Sequence, residues 1–168
     1  QSLYIHPGGR AAGMGDAYVS VADDATACWW NPAGLAFLEQ PHNVSLMHSQ
    51  LVPDWDDVYY EYAAYAQRVE GLGTLGGSLI YLTYGEQYAT REDDPEIIGK
   101  FRAYEIIPSL TYGALLGENL GIGLNLKFIY VNLAPAEYTV EGIEGSGTTF
   151  GADLGVLWRA TDRRLSVG

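Results

Sequence analysis

Charge is scarce in this sequence. Charged residues make up 18% of the chain, against about 25% in ordinary soluble domains. Lysine occurs only at 100 and 127. Acidic residues outnumber basic ones and the net charge is −12, which excludes the cationic footprint that nucleic-acid binding needs. The single cysteine, Cys28, excludes an internal disulfide framework. No run of about 18 apolar residues occurs, so a spanning helix is excluded. A transmembrane barrel is not excluded, because its strands hide their apolar residues in alternation. No charged n-region or apolar h-region precedes Gln1, so a secretory signal is absent or already removed, and a mature chain starting at Gln1 fits the second expectation. His6, His42 and His48 show no metal-ligand spacing, and neither a metal nor a cofactor is expected.

Glycine (21) and tyrosine (13) are abundant instead, in a chain of 168 residues that is 48% hydrophobic. That is not a disordered composition, and the length suits one domain. Residues 1–41 are rich in small residues without a clean period. Within them "DDATACWWNPAGL" reads as a short helix. Asp23 or Asp24 is expected to cap its start. The residue before Pro32 leaves the α region and ends it, and a second short turn follows through Gly34 to Leu38. This N-terminal segment is expected to pack against something larger.

From residue 42 the period becomes two, the signature of strands. In "GIGLNLKFIY" one face carries Ile122, Leu124, Leu126, Phe128 and Tyr130, and the other Gly121, Gly123, Asn125, Lys127 and Ile129. In "TFGADLGVLW" Phe150, Ala152, Leu154, Val156 and Trp158 alternate with Thr149, Gly151, Asp153, Gly155 and Leu157. Each apolar face runs about nine or ten residues, the length a tilted strand needs to cross a bilayer. Strands are also expected at 42–51, 58–68, 74–84 and 104–116, with Pro108 counting against the last unless it sits at an edge or bulge. A seventh begins at "LSVG". Connections alternate between tight ones near 70–74, 117–120 and 161–164 and longer ones at 52–57, 85–102 and 134–147. Short turns on one side and long loops on the other is the outer-membrane barrel layout. It places Tyr81, Tyr84 and Tyr130 near the outer rim and Tyr112 and Trp158 near the periplasmic rim, where aromatic residues belong. The fold class is therefore all-β, a transmembrane antiparallel barrel, with a greasy-faced soluble sandwich as the rival. Six or seven strands fall short of about eight, so residues 42–168 are expected to be the first strands of a longer barrel.

The stretch "GRAAGMGDAYVSVADDATACWWNPAGLAFL", residues 9–38, resembles the start of PorV/PorQ-family outer-membrane proteins, within the wider FadL-like superfamily. The resemblance rests on Gly-Arg-Ala-x-Gly-Met-Gly-x-Ala, Val-Ala-Asp-Asp-Ala-Thr-Ala and Trp-Asn-Pro-Ala-Gly-Leu. It implies a barrel of about fourteen strands, within the usual range, with residues 1–41 as a hatch inside. It implies a non-enzymatic component or cargo shuttle of type IX secretion, in the bacterial outer membrane. The alternatives are passive transport of fatty acids or other hydrophobic small molecules, and a structural barrel that binds a protein partner. Expected partners are outer-membrane lipid, secretion machinery or cargo, and hydrophobic small molecules.

Candidate sites follow. Asp23, Asp24, Trp29, Trp30, Asn31, Pro32 and Gly34 form the hatch. Here the plainer reading is that the tryptophans plug the barrel base and Asn31 satisfies turn backbone. Glu61, Glu105, Asn125, Lys127 and Asp153 are expected to face the lumen, with Lys127 and Asp153 as an ion pair. No His or Ser accompanies the carboxylates at a defined spacing, so glycosidase or protease chemistry is set aside. Tyr81, Tyr84, Tyr112, Phe128, Tyr130, Phe150 and Trp158 are expected on the lipid face and its aromatic girdles. The acidic stretches "PDWDD" (53–57) and "EDDPE" (92–96) suit calcium in ligand type but match no known loop spacing and read as solvated. "GLGTLGG" (71–77) holds a GxGxxG string, but a strand follows where a dinucleotide site needs a helix.

Overall fold

The computed structural model describes residues 2–91, 94–139, 142–161 and 164–168, and at 91, 94 and 95 the backbone alone. Its core is one seven-stranded antiparallel sheet in simple sequence order: β1 (His42–Gln50), β2 (Tyr59–Val69), β3 (Gly73–Arg91), β4 (Asp94–Leu116), β5 (Leu120–Ala134), β6 (Gly145–Arg159) and β7 (Ser166–Val167). Every neighbour in the sheet is a neighbour in the chain, as short hairpin connections dictate. β1 and β7 are its two edges. No helix among the described residues is long and apolar enough to cross a membrane.

Tight turns at 70–72 and 117–119 lie at one end with the β6–β7 connection, and the 51–58 and 135–144 connections lie at the other. The expected loop at 85–102 is instead strand at 85–91 and 94–102. β3 and β4 run on as a long hairpin past Leu82 and Tyr104, where pairing to β2 and β5 stops. The alternation fails there because the register shifts between Thr83 and Glu86 around Gly85, which has φ 77°. The Asp57 carboxylate accepts the Glu86 N–H at 2.7 Å, satisfying a donor at the bulge. Glu92 and Asp93 of "EDDPE" lie outside the described residues.

Pro108 sits in the middle of a central strand, neither at an edge nor at a bulge. It pairs Leu79 on β3, while the ladder to β5 skips 107 and 108 without changing register. The missing N–H is absorbed as a local gap on one side of β4.

The N-terminal segment covers one face of the sheet. It contains α1 (Gly9–Gly13), the single turn α2 (Ala27–Trp30) and 3-10 turns at Ser2–Tyr4 and Pro32–Phe37. Two buried clusters seat it. Cys28, Leu35 and Leu38 pack with Ala66 of β2. Ala25, with Ile5 and Trp29, packs on Tyr60, Tyr62, Ile80, Leu82 and Ile107. The opposite face is bare and apolar. Leu46, Leu110, Phe150 and Leu154 are 74–86% exposed.

Candidate functional site

Two surfaces carry function here: the covered face with the N-terminal segment on it, and the bare apolar face.

On the covered face a row of glycines makes room for the chain. Gly113, Gly123 and Gly155 are directly paired across β4, β5 and β6. A Cβ on Gly123 would lie 2.2 Å from the Pro32 carbonyl carbon, and one on Gly155 2.2 Å from Asn31 Oδ1. Glycine inside a strand marks this kind of close approach. The "NPAGL" turn lies in the groove so formed. Gly34 is required for a second approach, since its Cβ would fall 2.1 Å from the Ala22 carbonyl oxygen.

Asn31 fastens the turn. Its Oδ1 accepts from Ala33 N–H at 3.1 Å, and its Nδ2 donates to the carbonyls of Val19 (3.0 Å) and Val156 (3.1 Å). Asn31→Ala leaves buried backbone groups unpaired, each costing about 1–3 kcal/mol. A fall in thermal midpoint of several degrees is expected, and an unchanged midpoint would show that water replaces the side chain.

Neither aspartate caps α2. Thr26 stands at its N-cap without a side-chain bond to the helix backbone. Asp24 sits two residues earlier, accepting from Thr26 N–H (2.8 Å), the Thr26 hydroxyl and Tyr18 OH (2.8 Å). Asp23 pairs with Arg10 and accepts from Tyr18 OH at 3.2 Å. Burial raises the Asp23 carboxyl, but the Arg10 bond and charge, the Tyr18 bond and the Arg159 charge together outweigh it and hold the group below the usual aspartate range. That contribution is present above the ordinary aspartate pKa and is lost as pH falls through the lowered value. Trp29 and Trp30 meet edge-on with centroids 4.8 Å apart, and His6 lies 5.0 and 5.2 Å from them. Trp30 Nε1 donates to the Pro7 carbonyl at 2.9 Å. Cys28 is buried against Gly76, and burial pushes its thiol up to about 11.

Three of the five polar candidates come together on the covered face. The Thr111 hydroxyl donates to Asn125 Oδ1 (2.9 Å), Asn125 Nδ2 donates to Asp153 Oδ2 (3.0 Å), and Lys127 Nζ reaches the same oxygen at 2.6 Å. Glu105 lies apart, buried midway along β4. Glu61 is on the other face. It pairs with Tyr81 in register, and its Oε1 accepts from His48 Nδ1 at 2.8 Å. The reversal has a cause: the covered side of β2 packs on the apolar N-terminal segment, so Tyr60, Tyr62, Ala64 and Ala66 turn that way. Among the described residues no cluster of His, Cys, Asp or Glu could hold a metal.

The bare face carries aromatics at both ends. Tyr59, Tyr81, Tyr104 and Tyr130 form a continuous row with centroids 6.0–6.1 Å apart across four strands. Tyr112 and Trp158 lie towards the short-turn end, where the Tyr112 hydroxyl donates to the Leu72 carbonyl. Tyr104 and Tyr112 are eight residues apart, about 26 Å along a strand, or roughly 20 Å in height at the tilt of a barrel. Phe128 and Phe150 stack between the rows at 5.2 Å. Tyr84 is the exception among the expected girdle residues. It faces the N-terminal segment and its hydroxyl bonds Glu105. Tyr59 and Tyr104, which complete the row, escaped the sequence reading. Their spacing from Tyr81 and Tyr130 becomes visible only once the register is known.

A family model described as "Type IX secretion system protein PorV" matches residues 2–165. The chain belongs to the PorV family. The match covers the N-terminal segment and all but the last of the strands, so membership rests on sheet and segment together. It ties this chain to type IX secretion. None of the curated proteins compared with the chain matches it.

Proposed function

We propose that this PorV-family chain forms the plugged wall of an outer-membrane β-barrel and serves type IX secretion as a non-enzymatic cargo shuttle. The observation that carries the reading is the division of the sheet into two faces. One is apolar, bare and edged by aromatic rows, as a lipid-facing wall requires. The other is filled by the N-terminal segment and a satisfied polar network. The β1 and β7 edges then pair with further strands, because open edges cannot face lipid. Residues 1–41 act as a hatch in the lumen, and the long-connection end faces outward. Family membership favours cargo escort over fatty-acid passage, since secretion is what the family's description names.

Affinity capture of the tagged protein from outer-membrane extract tests the role. Secretion-machinery or secreted proteins are expected to co-purify. Recovery of bound lipid without such proteins would instead favour the hydrophobic-transport alternative. Occlusion has its own measurement. Deleting residues 1–38 is expected to open ion conductance in planar bilayers, and a pore that stays closed would sink the plug assignment.

A further inference from the structure

We propose that the N-terminal segment works in two parts: Tyr18–Leu38 is a fixed plug, and Ser2–Met14 is a releasable strap latched to the sheet at Glu105. The inference rests on the plug reading above and adds a division within it.

The two parts are held differently. The fixed part lies in the glycine groove with backbone against backbone. It is bonded to the sheet along its length: Asn43 Oδ1 accepts from Ala25 N–H (2.9 Å), Asn31 donates to the Val156 carbonyl, Arg159 donates to the Val21 carbonyl (2.7 Å), and Arg68 donates to the Leu38 carbonyl (2.6 Å). By hydrogen bonds among the described residues, the strap reaches the sheet at two places. Gly8 N–H points at Met47 Sδ (3.1 Å), a weak acceptor. Ser2 is the strong one. Its N–H (3.1 Å) and hydroxyl (2.5 Å) both donate to Glu105 Oε2, while the Tyr84 hydroxyl donates to Oε1. Between strap and plug, the Arg10–Asp23 pair is solvent-exposed and such pairs contribute little, which leaves the Trp30 Nε1 bond to the Pro7 carbonyl (2.9 Å) and the buried Ala11 as the ties that opening must break.

The geometry also supplies a hinge and a driving force. Gly15 and Asp16, between the parts, have φ 63° and 64°, a left-handed pair where the chain reverses. Tyr4 is 87% exposed and Leu3 and Met14 also face solvent, so the surface that resists lifting is confined to Ser2, Ile5, Pro7 and Ala11. Closure buries Ile5 on the cluster of Tyr60, Leu82 and Ile107. In that cluster and beside it, Tyr60 OH and Trp29 Nε1 are buried without a hydrogen-bond partner among the described residues. Buried unpaired donors oppose the closed state, and opening lets water reach them. Tyr4 and Ile5 of the strap form one wall of an apolar hollow of about 380 Å³, and lifting them leaves its other wall, Leu51, Leu82 and Tyr84, open to solvent. A carboxylate latch that takes three donors among the described residues, holding a strap over unsatisfied groups, is a device poised between two positions.

Maleimide labelling in membrane fragments tests it with two reporters. The native Cys28 reports on the fixed part. A cysteine at 82 in a Cys28→Ala background (L82C) reports beneath the strap. In Glu105→Ala the cysteine at 82 is expected to label about tenfold faster or more, the effect of losing a charge-assisted hydrogen bond, while Cys28 stays as protected as before. Protection of both sites in Glu105→Ala would overturn the latch. Should Glu105→Ala expose both, the single-bond variants Ser2→Ala and Tyr84→Phe decide. Selective exposure at 82 supports the division, and equal exposure or equal protection at both sites overturns it. Conductance after deleting residues 1–38 stands apart from these rates, so failure of the division is distinguishable from failure of the plug itself.

Discussion

Leu154→Arg is expected to cost about 2–4 kcal/mol of stability in a lipid bilayer, the penalty for a cation near the midplane of a barrel's outer face. Nothing in the packing of the sheet demands this. Leu154 is 86% exposed, the most of any apolar residue on its strand, and in water an arginine there would be tolerated within about 0.5 kcal/mol. The size of the effect therefore measures what covers the face, not what the side chain touches. An internal control lies on the same molecule. Ile97 is 55% exposed on the part of the β3–β4 hairpin beyond the tyrosine row, and Ile97→Arg is expected to be near neutral. Equilibrium unfolding in vesicles compares the two. A loss at 154 with none at 97 places lipid between the aromatic rows. Equal small effects would make this a soluble sheet with one greasy face, and the proposed wall would fall with it.

Much of this wall was legible in the sequence, for a reason that particular residues make clear. On β5 and β6 the two faces differ sharply in size and polarity, so Ile122 to Tyr130 and Phe150 to Trp158 declare their side. β2 carries tyrosine and alanine on both faces, so alternation locates the strand without telling in from out. Glu61 was misplaced on that account. Deciding it required knowing that the covered side packs against Ala25 and Trp29 rather than water. Tyr84 was misplaced for a simpler reason. It stands three residues from Tyr81, and an odd spacing cannot put both on one face before the bulge at Gly85. The aspartates were read as caps because the residue type and position favour it. The helix has one turn, and the Arg10 side chain, distant in sequence, claims Asp23 instead. Local rules located the elements. Contacts between elements settled which way ambiguous residues point.

The glycine row gives the second large effect. Gly123→Ala adds one methyl group, yet its Cβ would meet the Pro32 carbonyl carbon at 2.2 Å and Ala33 N at 2.4 Å. Both obstacles are backbone, so no flexible side chain can swing aside, and overpacking of this kind costs about 1–3 kcal/mol or more. Two responses are open to the protein: bend β5 away from β4 and β6, or unseat the Pro32 turn. β5 is paired on both sides along most of its length, whereas the turn is held by one glycine groove and the Asn31 side chain. The turn should therefore yield, carrying Cys28 with it. Gly123→Ala is expected to raise Cys28 labelling strongly and lower the thermal midpoint. Gly151→Ala, on the same face of β6 but with its nearest neighbours at 3.9 Å, should leave both unchanged. If the two variants behave alike, the close approach is not what seats the segment. The strap could then move with the rest of the chain, because a strap can lift from a plug only where the plug itself is held.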